Sequence, residues 1–357
     1  MAAIDYKKKA DQVCPVIIDH LAFTFPIRDL KHLVGHVGYG DLKIPEYPER
    51  INGIAPDFYT VLVKRYEATV IDYLEFLFKR FVYRELGMEL SRPRGRGLHG
   101  YTDSFILLDK SGEHELGFVG FGGNNETVFI QINGLGCKYL FDFTKPKKLH
   151  KVLAGIIGIT NISRLDLAVD DFTGNFGFKY AKTAFFDGAF RTSKKGNYPK
   201  LSPVHSFDIN GNENITGINV GSRTSRVFWR IYDKRQEQKI VDTDVIWFRN
   251  EVELKKVSID MLYSPAAAFA GLCDFAASME PSDGRRFDTI KRKSVLEMKG
   301  KVSWARKQVG RTLAQITDFY DGDLDRVFGL LIPVKHRESG IDLPDTNKAL
   351  SQIFLGV

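Results

Sequence analysis

The stretch VFWRIYDKRQEQ, residues 227–238, decides how the fold is read. It begins as an apolar strand and turns polar without a break. In an extended chain, residues i, i+2 and i+4 share one face. Arg230, Tyr232 and Lys234 then point one way, and Trp229, Ile231 and Asp233 the other.

Two other segments repeat the pattern. In SRLDLAVDDF (163–172), Leu165, Leu167 and Val169 form an apolar face, and Asp166, Ala168 and Asp170 face away from it. In WFRNEVELKK (247–256), Arg249, Glu251, Glu253 and Lys255 share a face. If the three faces meet on one sheet, they make a concave polar site holding a tyrosine, acids and cations. Solvated strands carry the same residue types, so the pattern also fits an exposed sheet surface.

Working outward, VIIDHLAFTF (16–25) reads as a strand, and 56–87 as a long amphipathic helix closed by Gly87. Strands alternate with glycine turns over 103–140, the last being ETVFIQINGLGCKYL. Helices are predicted at 145–158, 180–190 and 264–279. ITGINVG adds a further strand beside 227–234. EPSDGRR (280–286) breaks the periodicity and reads as a linker. The fold expected is α+β. An antiparallel-sheet domain spans about 1–279, and a basic, mostly helical domain about 287–357. ETVFIQINGLG (126–136) and SRVFWRIYDKR (225–235) share a VF-x-x-I core, so a duplicated β-α-β-β unit would give two pseudo-symmetric halves.

Composition sets the wider bounds. The 357 residues carry a net charge of +7, which points to an anionic partner such as nucleic acid. Cys14, Cys137 and Cys273 are scattered and form no CxxC pair, which argues against a zinc ribbon and for a reducing, cytoplasmic setting. MAAIDYKKKADQ has no apolar leader, and no apolar run reaches membrane-spanning length. There is no P-loop, GxSxG elbow or HExxH, and the eight histidines include no His-x-His pair.

The chemistry that suits the three strands is phosphoryl transfer. A tyrosine hydroxyl is a weak nucleophile near neutrality, and cations such as Arg230 or Lys234 would favour its phenolate. Carboxylates on adjacent strands suit Mg²⁺ or Mn²⁺, which prefer oxygen ligands. Asp166 and Asp170 stand roughly 13 Å apart along a straight strand, so Asp166 with Glu251 is the better pair. Asp170 and Glu253 are lesser candidates.

GGNNETVFIQINGLGCKYL, SRLDLAVDDF, GINVGSRTSRVFWRIYDKRQEQ and FRNEVELK occur in this order. Together they resemble the replication initiation factor (Rep_trans) family, whose members start rolling-circle replication of filamentous phages and some plasmids and include relaxases of conjugative elements. The resemblance runs from about 100 to 256, more weakly through KVSWARKQVGRTLAQI. It implies a site-specific nick at a replication origin, with a tyrosine joined to the 5′ phosphate. The family tyrosine maps to Tyr232, the earlier Arg-x-Asp to Arg164 and Asp166, and the later Arg-x-Glu to Arg249 and Glu251. Catalytic roles are thus expected for Tyr232, Lys234 and Arg230, and metal binding for Asp166, Glu251 and Asp170. Tyr198 in GNYPK stays open as an alternative nucleophile. The partner implied is origin DNA, duplex and single-stranded, with a host helicase and a second copy of the chain as further partners to consider. A non-catalytic DNA-binding regulator on the same fold is the alternative. A sheet-based RNA-binding protein is weakened by aromatics that lie in apolar alternation instead of a stacking motif.

One segment has a net positive charge larger than that of the whole chain. Residues 285–311 hold ten Lys or Arg against Asp288 and Glu297. Arg285, Arg286, Lys291, Arg292, Lys293, Arg306, Lys307 and Arg311 are therefore expected to bind DNA.

Overall fold

In the computed structural model, alternation of apolar and polar residues is resolved into a single ten-stranded sheet with all neighbouring strands antiparallel. The structure describes residues 15–40, 43, 45–48, 55–192, 197–207, 209–210, 213–242, 244–280, 282–284, 305 and 308–331. The chain divides into two compact units, Met1–Thr289 and Ile290–Val357.

The first unit opens with β1 (Ile17–Pro26), followed by the long helix α1 (Pro56–Phe81). Pro56 stands in the first turn of α1, where its missing N–H costs nothing. One wider turn, Val82–Leu86, carries the chain to Gly87 at φ 68°, the left-handed position that glycine adopts at low cost. Next come β2 (Glu89–Leu90), β3 (Asp103–Leu108), β4 (Glu115–Phe121) and β5 (Thr127–Ile132). Helices α2 (Gly134–Phe143) and α3 (Pro146–His150) lead into β6 (Asn161–Asp171). Then follow α4 (Phe178–Phe186), β7 (Leu201–Phe207), β8 (Glu213–Gly221), β9 (Val227–Asp233), α5 (Lys234–Glu237) and β10 (Phe248–Ser258). Two short helices, α6 (Pro265–Ala270) and α7 (Asp274–Ala277), complete the unit. In the second unit the described residues form α8 (308–319) and α9 (Leu324–Leu331).

The sheet order is β2-β3-β4-β5-β1-β6-β10-β9-β8-β7. Outward from the central β1–β6 pair, the two sides have the same topology. In each, a first strand is central, a helix follows, and the last strand of a meander returns to pair with the first. The two halves therefore relate β5 to β10 and β4 to β9. This corrects the register expected from sequence, in which 126–136 was matched to 225–235. Those segments lie on β5 and β9, which hold different places in the sheet, and the VF-x-x-I they share is only strand alternation.

The core lies on one face. Leu21, Phe23, Phe25, Ile130, Leu165, Leu167, Trp229, Ile231 and Val252 are buried there with Leu77, Phe81, Cys137, Leu140, Ala184 and Phe275 from the helices. Trp229 meets Phe190, Phe269 and Phe275 at ring distances of 5.7, 5.6 and 5.3 Å. The alternate residues of the same strands face away from these helices.

Several elements differ from expectation. The strand from 227 ends at Asp233, whose carboxylate accepts the backbone N–H of Gln236 and caps α5. Lys234 is thus helical and not on the strand face. The strand from 126 ends at Ile132, because the Asn133 side chain accepts the Gly136 N–H and starts α2. The helix expected over 264–279 breaks between α6 and α7 at Gly271–Cys273. Finally, β7 was not foreseen. It contains Pro203, which an edge strand tolerates.

Candidate active site

The three ionic strand faces do meet. In the register of the central strands, Glu253 lies opposite Asp166, Glu251 opposite Ala168, and Arg249 opposite Asp170. Across the next ladder, Tyr232 lies opposite Arg249 and Arg230 opposite Glu251. The strand order β6-β10-β9 therefore puts Asp166, Glu251, Arg230 and Tyr232 on one patch of the open face.

A fourth strand joins them. The register of β1 against β6 shifts between Ile18 and His20. At this bulge Asp19 reaches Arg249, with Oδ1 2.9 Å from Nη1, while His20 pairs with Asp166. Burial lowers the His20 pKa, with Asp166 pulling the other way. Neither residue was singled out from sequence. The polar pair Asp-His interrupting an apolar run was the available signal.

Each carboxylate is held by a cation. Asp166 accepts from Arg164 through both oxygens, at 2.9 and 2.6 Å. Glu253 lies 3.0 Å from Arg164 and 2.9 Å from Lys255. Asp170 accepts two bonds of 2.7 Å from Arg249. Glu251 takes the Arg230 guanidinium on Oε1 and the Tyr232 hydroxyl on Oε2, the latter at 3.0 Å. Arg230 also approaches Asp166 at 3.6 Å. So Arg230, Tyr232, Asp166 and Glu251 come together, whereas Asp170, like Asp19, is tied to Arg249.

Two electrostatic consequences follow. Burial pushes the Glu251 carboxyl up. Arg230 pulls it back, Asp166 and Asp19 push it further, and the result is about 7. Burial and then the charge of Glu251 raise Tyr232 well above the usual phenolic value, and Arg249 offsets this only in part. This corrects the expectation that neighbouring cations favour the phenolate. Arg230 is spent on carboxylates, and Lys234, which stands 5.5 Å over the Tyr232 ring, pairs with Glu237. The phenol is neutral and needs a base.

The arrangement does not fit a divalent ion. Oxygen donors of the right kind are present, but arginines and the tyrosine hydroxyl already occupy Asp166 and Glu251. Among the described residues no three His, Cys, Asp or Glu form a metal-sized cluster.

Tyr198 lies elsewhere. It packs under the Arg191 guanidinium at 5.0 Å and near Gly188, just beyond α4 on the helix-covered side. Of the cations expected to bind DNA, Arg311 is exposed on α8. Arg285, Arg286, Lys291, Arg292, Lys293, Arg306 and Lys307 lie outside the described residues. Among the described residues no helix is long and apolar enough to cross a membrane.

Comparison with known proteins bears on this patch. Residues 160–330 match the family model described as replication initiation factor. The family resemblance drawn from the sequence is shown over that stretch, which begins at β6 and so contains Asp166, Tyr232 and Glu251. It starts later than the resemblance carried by the sequence motifs and leaves β1–β5 outside. A solved structure of the rolling circle replication initiator protein from Geobacillus stearothermophilus is similar over 72% of this chain and 83% of that one, at 19% identity and a TM-score of 0.46. No curated protein matches the chain in sequence.

Proposed function

We propose that this chain is a rolling-circle replication initiator that nicks and rejoins DNA at an origin through a covalent bond to Tyr232. The observation that carries the reading is the Tyr232–Glu251–Arg230 arrangement, a phenol donating to a carboxylate whose pKa is about 7. Glu251 takes the phenolic proton as Tyr232 Oη attacks the scissile phosphorus. The P–O3′ bond breaks, the 3′ oxygen leaves and takes a proton from water, and the 5′ phosphate stays on Tyr232. Attack by a 3′ hydroxyl reverses the steps, returning the proton to Tyr232 through Glu251. The phosphodiester energy is kept, so resealing needs no ATP. Arg230 and Arg164 are about one-third exposed and can turn a guanidinium towards phosphate oxygens. Mg²⁺ or Mn²⁺, implied by the family resemblance, would have to displace arginine from Asp166 or Glu251, and no step here is routed through it.

The test is incubation with a supercoiled plasmid carrying the protein's own replicon origin, in Mg²⁺, in Mn²⁺ and in EDTA. Open circles with protein covalently attached are expected. DNA binding without any adduct in all three conditions would leave the non-catalytic regulator as the better reading. Full activity in EDTA would show that arginines alone neutralise the phosphate.

The basic segment is assigned to duplex affinity. Its ten cations over 285–311 stand against two acids, a surplus of eight. Each phosphate contact on duplex DNA adds about 0.9 to the fall of log affinity with log salt. With half of the surplus engaged, deleting 285–357 should flatten that slope by about 3–4. Fluorescence anisotropy against salt measures it. An unchanged slope in the folded truncation would make the segment a solvated face.

A further inference from the structure

We infer that the β1–β5 half of the open sheet face is a track for single-stranded DNA leading to Tyr232. The inference rests on the reading of Tyr232 as the nicking residue. It begins with the two-fold topology. Leu21 and Leu165 pair with each other on the central strands. With that pair on the axis, the strand registers give each site residue a counterpart in the other half. Asp166 corresponds to Ala22, Glu251 to Phe129, Glu253 to Gln131 and Arg230 to Gly120. The second half-site has the same strand order and, at these positions, none of the acids.

What replaces them is aromatic and basic. At the paired open-face positions of β3, β4 and β5 stand Ser104, Ile106, Phe118, Gly120, Phe129 and Gln131, with no carboxylate. The segment RPRGRGLHGY, residues 92–101, runs along and over this face. Its Arg94 N–H donates to the Ser104 carbonyl at 2.9 Å, and the Arg94 guanidinium lies 5.0 Å over Phe118. The His99 ring meets Phe129 edge-on at 5.1 Å, and its Nε2 is 3.3 Å from the Gln131 side chain. A Cβ on Gly120 would lie 2.9 Å from the Tyr101 ring, so residues 98–101 cross the sheet there. Arg92 and Arg96 are exposed. Among the described residues neither has an ion-pair partner.

The surface is continuous with the nicking site. One transverse row of paired residues runs Phe118, Gln131, Ala22, Arg164, Lys255. From β4 to β10 is four strand steps, about 19 Å at about 4.8 Å each. Arg164 at this row holds Asp166 of the site. Tyr232, level with Arg249, lies farther along the strands, about 20 Å from Lys255 at about 3.3 Å per residue. A polyanion laid along it passes from guanidiniums on one side to guanidiniums on the other. Planar groups on the surface, Arg94 on Phe118 and His99 on Phe129, offer platforms for unpaired bases. A duplex presents no free base faces to such platforms, so the occupant is a single strand.

The experiment uses the full-length protein. Fluorescein-labelled (dT)20 and a 20-base-pair duplex are titrated in fluorescence anisotropy across a salt series. Arg92→Ala/Arg96→Ala should weaken (dT)20 binding about tenfold. It should also flatten the salt slope by about 1.4, two phosphates at about 0.7 each for single strands. Arg96→Ala alone should give about half that slope change. Lys64→Ala/Arg65→Ala, two exposed cations on α1, should change neither. Unchanged (dT)20 affinity in the double variant, an equal loss in the α1 variant, or a loss confined to the duplex would overturn the track. The plasmid adduct is read in parallel. An adduct with unchanged (dT)20 binding sinks the track and spares the nicking reading. Weakened (dT)20 binding with no adduct does the reverse.

Discussion

Tyr232→Phe should bind origin DNA and leave it uncut. Removing a nucleophile from an active site typically costs on the order of 10⁴–10⁶ in rate, and among the described residues no other hydroxyl is held by Glu251. The ring stays in place under Lys234, and the loss is one hydrogen bond, about 1 kcal/mol of stability. Covalent adduct should fall below detection on gels, while affinity for an uncleaved origin duplex stays within about twofold of wild type, on the order of 0.4 kcal/mol. Peptide mapping of the wild-type adduct should place the nucleotide on Tyr232. A nucleotide on Tyr198, or an adduct that persists in the variant, would refute the assignment. The position of Tyr198 beside Arg191 and Gly188, just beyond α4, is the reason for expecting neither.

Glu251→Gln should keep the shape of the site and remove its base. General-base assistance is worth about 10²–10⁴, so cleavage should fall by that order. The pH profile separates this from simple damage. Wild-type cleavage should rise with pH and level off above about 7, where Glu251 is ionised. The glutamine variant should lose that rise. A wild-type profile flat from pH 5.5 to 8.5 would contradict the role of Glu251. Stability carries the opposite sign. The folded pKa of Glu251 lies above its ordinary value of 4.5. The stability it contributes is therefore full below about 4.5 and is lost as pH rises through about 7. The wild-type melting temperature should decline between pH 5 and 8 relative to Glu251→Gln. Differential scanning calorimetry of the pair measures it.

The sequence by itself determined the class of fold and the ionic faces. Period-two alternation is a backbone property, so the faces of 163–172, 227–233 and 247–256 could be read without knowing the neighbours of any strand. The Gly87 helix stop is equally local. Tertiary structure decided the rest. Strand order placed Glu251 opposite Arg230 and brought Tyr232 within hydrogen-bonding distance of it, a choice among pairings that alternation leaves equal. The bulge in β1 delivered Asp19 and His20, because one extra residue re-aims a side chain in a way no periodicity encodes. The sign of the Tyr232 shift could not be read from its flanking arginine and lysine. It depends on which carboxylates absorb those charges and on how deeply the phenol is buried. The register of the internal repeat failed for a related reason. Two hairpins with the same alternation look alike in sequence, and only their place relative to β1 and β6 shows that β5 answers to β10.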